Sequence, residues 1–207
     1  RPEMDSSERK VSGKNLPVRP RKPDPSDKPG PAAKNAWPAA GEAEVTVPPV
    51  APERSALENG AQAGKLPVRV LPPSGKAGLA AGKVAGKVRV RVLGRQEAGK
   101  IGVNGLAFTV SRTDSTETGR VGVRLDYSGF AQAFGGAYGT RLRLFQVPSC
   151  ALSTPSKPEC RTAVPLKSDN DTVARTLTAE VDAAPTATSA ASVTSGTLLV
   201  AAAAEAG

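Results

Sequence analysis

At 207 residues with a net charge of +9 and no histidine, the chain excludes every chemistry that needs an imidazole, from Ser-His-Asp triads to histidine-ligated metals. Aromatic residues make up only 3%, so the core has to be aliphatic, while 21 glycines and 19 prolines work against long helices. No run of about 18 apolar residues occurs, so no segment has the composition of a transmembrane helix.

The positive charge is unevenly placed. Residues 1–40 carry nine Lys/Arg against five Asp/Glu, residues 65–100 carry nine against one, and residues 101–207 carry nine against nine. The half with the most regular pattern is therefore neutral. The basic excess belongs to a Pro-rich start and a Gly/Lys stretch, where solvation of an edge segment is the simpler explanation, and no nucleic-acid partner is expected.

Eleven of the prolines fall in residues 1–52, interleaved with charge in R-P-R-K-P-D-P-S-D-K-P-G-P. Such a composition buries too little apolar area to offset its ordering entropy, so residues 1–40 read as a disordered linker with Trp37 as a late anchor. Residues 42–47 begin the strands, with Ala43, Val45 and Val47 alternating against Glu44 and Thr46. Leu66, Val68 and Val70 alternate again, and Pro67 assigns them to a sheet edge.

Residues 87–93 show the cleanest alternation, Val88, Val90 and Val92 on one face and Lys87, Arg89 and Arg91 on the other. One helical turn is expected at 95–99 and a tight turn at Asn104-Gly105. Strands at 106–112 and 120–127 then form a hairpin about the polar segment 113–119. Residues 127–139 break the pattern and hold Tyr127, Phe130, Phe134 and Tyr138, four of the seven aromatics. Phe130 and Phe134 are spaced to share a face of one turn before Gly135-Gly136. Strands follow at 141–147, 162–166 and 174–181, with 168–172 as a turn. Residues 183–194 read as Ala/Ser/Thr linker and 196–203 as one more strand or a lead into a following domain.

Three candidate chemistries present themselves among the loops and carboxylates. Gly94-Arg-Gln-Glu-Ala-Gly99-Lys100 matches a phosphate-cradling loop, but Ile101 stands where Ser or Thr would hold magnesium, and a turn and strand follow instead of a helix. Asp169-Asn170-Asp171 matches the start of a calcium loop without its glycine or distal glutamate, so it reads as a surface turn. Asp126, Asp169 and Asp171 would have to gather in one pocket for an enzyme. No catalytic, metal or cofactor-binding residue is assigned, and the chain is expected not to be an enzyme.

Cys150 and Cys160 are the only cysteines and flank a loop containing Pro155 and Pro158. An isolated even pair without C-x-x-C spacing reads as a disulfide ahead of buried or reactive thiols, and places the chain in an oxidising compartment. Tyr127, Phe130, Phe134 and Tyr138 form either a sugar-stacking platform or a core plug. The plug is favoured because both tyrosine hydroxyls can reach solvent while their rings pack.

Three stretches are distinctive together: V-R-V-L-G-R-Q-E-A-G-K-I-G-V-N-G-L-A-F-T-V, the segment from D-Y-S-G-F through G-G-A-Y and R-L-R-L to C-A-L-S-T-P-S-K-P-E-C-R-T, and P-L-K-S-D-N-D-T. Over about residues 37–204 they resemble the N-terminal region of large secreted RHS-repeat proteins of actinobacteria, of the wall-associated and polymorphic-toxin type. That resemblance implies an exported, non-catalytic β domain ahead of a shell of YD-type repeats, its partner in the same polypeptide, with secreted or cell-wall-associated localisation and a role in interbacterial competition or surface contact. The fold expected is all-β, an antiparallel β-sandwich-like domain over residues 41–182, with a Pro-rich flank before it and an Ala/Ser/Thr-rich flank at 183–207. The alternative is an independent module that binds a cell-wall glycan, with a wall polymer as partner.

Overall fold

The computed structural model describes residues 36–49, 60–74, 84–102, 104–186 and 196–203. The expected linker up to residue 35, the core of the Gly/Lys stretch and most of the Ala/Ser/Thr segment lie outside the described residues. The strands are β1 (Gly41–Thr46), β2 (Ala61–Gln62), β3 (Val68–Leu71), β4 (Lys87–Val92), β5 (Gly105–Arg112), β6 (Gly119–Asp126), β7 (Leu142–Val147), β8 (Val164–Pro165), β9 (Ser168–Asp171), β10 (Thr176–Pro185) and β11 (Thr197–Ala203). One short helix, α1 (Arg95–Lys100), lies between β4 and β5. The chain is all-β.

Period-two alternation places the strands. In β4 every valine is buried while Lys87 is exposed and Arg89 and Arg91 are half-buried. The hydrogen-bonded order is β2-β3-β6-β10-β5-β11-β7-β8, with β4 also on β5, β1 on β4 and β9 on β10. The ladders are antiparallel with one exception among them: Ala184 and Pro185 at the end of β10 run parallel to Ser111 and Arg112 of β5. This junction makes the sheet mixed rather than purely antiparallel, and it joins the β3-β6-β10 half to the β4-β5-β11-β7 half.

The inward rows of both halves meet in a single apolar cluster. Val68, Val70, Val121, Val123, Leu125, Leu177 and Val181 come from one half, and Val88, Val90, Leu106, Phe108, Val110, Leu144 and Leu199 from the other. A second, smaller core lies on the outer side of the β5-β11-β7 region. There Leu93, Ala98 and Ile101 around α1 and Ala151 and Cys160 of the cysteine loop cover Ala107, Val147, Leu198 and Val200. Burial on both faces explains why β11 reads T-L-L-V-A-A-A without alternation.

Two expectations about β5 are corrected. Residues 106–112 and 120–127 do not form a hairpin: β5 pairs with β4 and β11, whereas β6 pairs with β3 and β10. Every residue of β5 is buried, its edges are taken by β4 and β11 and, at Ser111 and Arg112, by the end of β10, and the segment after it crosses to the other half. Asn104-Gly105 is likewise no tight turn. The left-handed residue is Gly102, at φ 79°, and Gly105 already lies in β5, where a side chain would run into the carbonyl of Ala201.

Residue 182, the expected end of the domain, falls inside β10. β11 lies between β5 and β7 in the sheet instead of leading away from it. The segment 168–172 is also more ordered than a turn: β9 occupies it, and the reversal is at 172–175, where Asp171 Oδ1 accepts from the N–H groups of Val173 (3.0 Å) and Ala174 (2.8 Å).

Candidate functional site

The aromatic group divides. Tyr127, Phe130 and Tyr138 are core residues, each 2% exposed or less, while Phe134 is 43% exposed. Phe130 and Phe134 are brought together through Trp37, whose ring centroid lies 5.2 Å from the first and 5.6 Å from the second. Phe134 also meets Tyr138 at 5.0 Å. The Arg95 guanidinium lies over Trp37 at 4.8 Å and over Phe134 at 5.7 Å, so the rings a sugar would stack on already carry a cation from α1.

The tyrosine hydroxyls do not reach solvent as expected. Tyr127 Oη donates to Asn170 Oδ1 at 2.6 Å, and burial raises its pKa. Asn170 in turn donates to the carbonyls of Gly139 (2.9 Å) and Leu142 (3.1 Å), tying β9 to the start of β7. Tyr138 Oη is buried with no partner among the described residues, and burial pushes its pKa up to about 12.

Cys150 and Cys160 are joined in a disulfide, with Cα atoms 5.5 Å apart. The loop they close packs Ala151 and Cys160 into the second core, with Cys150 and Leu152 against it. Thr154 donates its N–H (2.7 Å) and hydroxyl (3.1 Å) to Cys150 O, and Arg161 Nε donates to Pro155 O at 2.7 Å. After the loop, β8 returns to pair with β7, Val164 opposite Gln146 and Pro165 opposite Phe145.

The carboxylates are dispersed. Asp126 Oδ1 accepts the N–H of Ser128, Asp171 closes the β9–β10 turn, and Asp114 bonds Arg112 at 2.8 Å. Asp114 lies just after β5, whereas Asp126 ends β6. Among the described residues no three His, Cys, Asp or Glu side chains are grouped to hold a metal ion. The arginine rows are partly neutralised: Arg89 faces Glu42 (3.4 Å) and Glu44 (3.7 Å), Arg91 binds Glu97 of α1 (2.8 Å), and Arg120 binds Asp182 (3.1 Å).

Two concavities stand out among the described residues. One, of about 680 Å³, lies between residues 36–43, the β2–β3 turn and residues 126–130, and both Glu42 and Asp126 and Lys65 and Arg69 line it. The other, of about 770 Å³, lies on the outer face of β7 and β11, between the turn after α1 and the exit of the cysteine loop. Its residues come from four separate stretches, so no motif announces them. Among the described residues, no helix is long and apolar enough to cross a membrane. Neither a family model, nor a curated protein, nor a solved structure matches this chain.

Proposed function

We propose that this chain is a non-catalytic structural or presentation module of a large secreted RHS-type protein, positioned ahead of its repeat shell. The observation that carries this reading is the architecture of the cysteine loop. Cys150 and Cys160 form a bond, Ala151 and Leu152 pack on the second core, Thr154 caps Cys150, and Arg161 fastens to Pro155. The C-A-L-x-T-P-x-x-x-x-C-R-T element thus consists largely of residues with scaffolding roles, and its closure by a disulfide suits an exported protein. The R-L-R-L element is β7, whose Leu142 and Leu144 are core residues.

The test is the reading frame beyond Gly207. Tandem YD-type repeats encoded there support the proposal, and an unrelated or absent continuation overturns it.

A second reading, a wall-glycan-binding module, rests on Phe134 beside Trp37. Three of the four rings expected in such a platform are buried, and Arg95 covers the remainder. Sedimentation with purified cell walls tests it: binding that Phe134→Ala abolishes would restore it, and no binding removes it.

A further inference from the structure

We propose that the groove of about 770 Å³ on the outer face of β7 and β11 is a binding site for a small organic anion, a carboxylate or phosphate carried on an aryl or acyl body. Its volume is in the range that holds a ligand of this size. The apolar surface open to a ligand is that of the half-buried Phe145 and Ala202, with Val147 and Val200, already covered in the second core, forming the base beneath them. An aromatic or acyl body laid there would bury area on both sides.

The rim supplies the charge. Lys100 enters from the end of α1 and Arg161 from the residue after Cys160, and no carboxylate is among the lining residues. Among the described residues, neither cation is in an ion pair, in contrast to Arg89, Arg91, Arg112 and Arg120. Arg143 adds to the same side, exposed on β7 and in register with Ala202. Two like charges beside an apolar floor are compensated in part by one anionic headgroup while its apolar body covers the floor, so charge and floor select the same ligand class.

The backbone that carries both cations is anchored. Arg161 is fixed at Nε by Pro155 O and follows the disulfide directly, while Ile101, the residue after Lys100, is buried in the second core. The other concavity has no such preference, since its acidic and basic rim residues balance.

The experiment is a methyl NMR titration of the oxidised full chain with 4-phenylbutyrate, 4-phenylbutyl phosphate and the neutral 4-phenylbutanol. We expect saturable shifts of the Ile101, Val200 and Ala202 methyls with at least one anion, roughly tenfold tighter than with the alcohol. Whichever anion binds more tightly identifies the headgroup. K100Q/R161Q should abolish the preference for the anion while leaving the amide spectrum dispersed, and Ala202→Trp should block all three probes by filling the floor. Equal binding of alcohol and anions, shifts confined to the Trp37 and Phe134 region, or no shift at millimolar concentration would overturn the proposal.

Discussion

The Arg112 guanidinium donates through Nε to Asp114 Oδ1 at 2.8 Å, and Asp114 Oδ2 accepts the backbone N–H of Gly86 at 3.0 Å. The pair stands where β5 ends, where the approach to β4 passes, and where Arg112 O accepts the N–H of Thr186 beyond β10. Arg112 is 6% exposed, and a side chain at Gly119 would come within 2.8 Å of its Nη1 and 2.9 Å of Ala85 N. One ion pair thus holds the corner at which the two halves of the sheet are joined.

Stability should fall in acid through this corner. The Arg112 hydrogen bond, aided by the N–H groups of Gly86 and Lys87 against the opposing effect of burial, brings the Asp114 pKa down to about 2. Its folded value lies below the unfolded value of about 3.9, so its contribution is complete above about pH 4 and is lost as pH falls towards 2. Because Asp114 keeps contact with solvent, the contribution is on the order of 1 kcal/mol after screening. Thermal melts of the wild type and Asp114→Asn between these pH values should converge at the acid end; a constant difference would contradict the assignment.

Two tyrosines should respond oppositely to loss of a hydroxyl. Tyr127→Phe removes the donor to Asn170 and should cost about 1 kcal/mol, whereas Tyr138→Phe removes a buried hydroxyl without a described partner and should be neutral or stabilising by about 1 kcal/mol. Asn170→Leu, which leaves two carbonyls unanswered and Tyr127 Oη only its longer bond to Asp171 O (3.3 Å), should cost roughly 2–3 kcal/mol. Urea unfolding curves measure all three.

Much of the strand content is legible in the sequence because alternation reports which side of a strand is wet. β1, β4, β6 and β7 follow Val45, the three valines of β4, Val121 and Val123, and Leu142 and Leu144. Partners are a different matter. Leu106, Phe108 and Val110 announce a strand, but nothing in them tells that Thr109 and Ser111 on the opposite row are buried too, or that β4 and β11 occupy the edges that a hairpin with β6 would need. β11 was harder still, since an apolar run after an Ala/Ser/Thr segment has no period from which to infer a place between β5 and β7. The roles of Asn170 and of Lys100 with Arg161 depend on contacts between distant segments, for which a single sequence carries no signal.

Gly105→Ala should be disproportionately harmful for a single methyl. A Cβ at Gly105 falls against Ala201 O and 3.0 Å from its carbonyl carbon, both rigid parts of β11, so the ladder must move. We expect a loss of about 1–3 kcal/mol. The same change at Gly99, whose Cβ would meet nothing within 4 Å, serves as the control and should be neutral or mildly stabilising. Equal effects at the two positions would contradict the close approach of β11 to β5.

The cysteine loop should matter most for the second core. Closing a loop of this length stabilises by about 3 kcal/mol in the chain-entropy treatment. Reduction or Cys150→Ala with Cys160→Ala should lower the unfolding free energy by about that amount and speed hydrogen exchange at Leu198 and Val200, which the loop covers, more than at Val68 and Val70 in the main core. Uniform acceleration would mean that the loop does not act on the second core in particular.

The most direct test of an exported, disulfide-clamped module is mass spectrometry of the native protein, isolated without reductant from each cell fraction after alkylation of free thiols. The prediction is recovery from the medium or the cell wall with Cys150 and Cys160 in one cross-linked peptide and neither alkylated. Recovery from the cytosol with both thiols alkylated would contradict it.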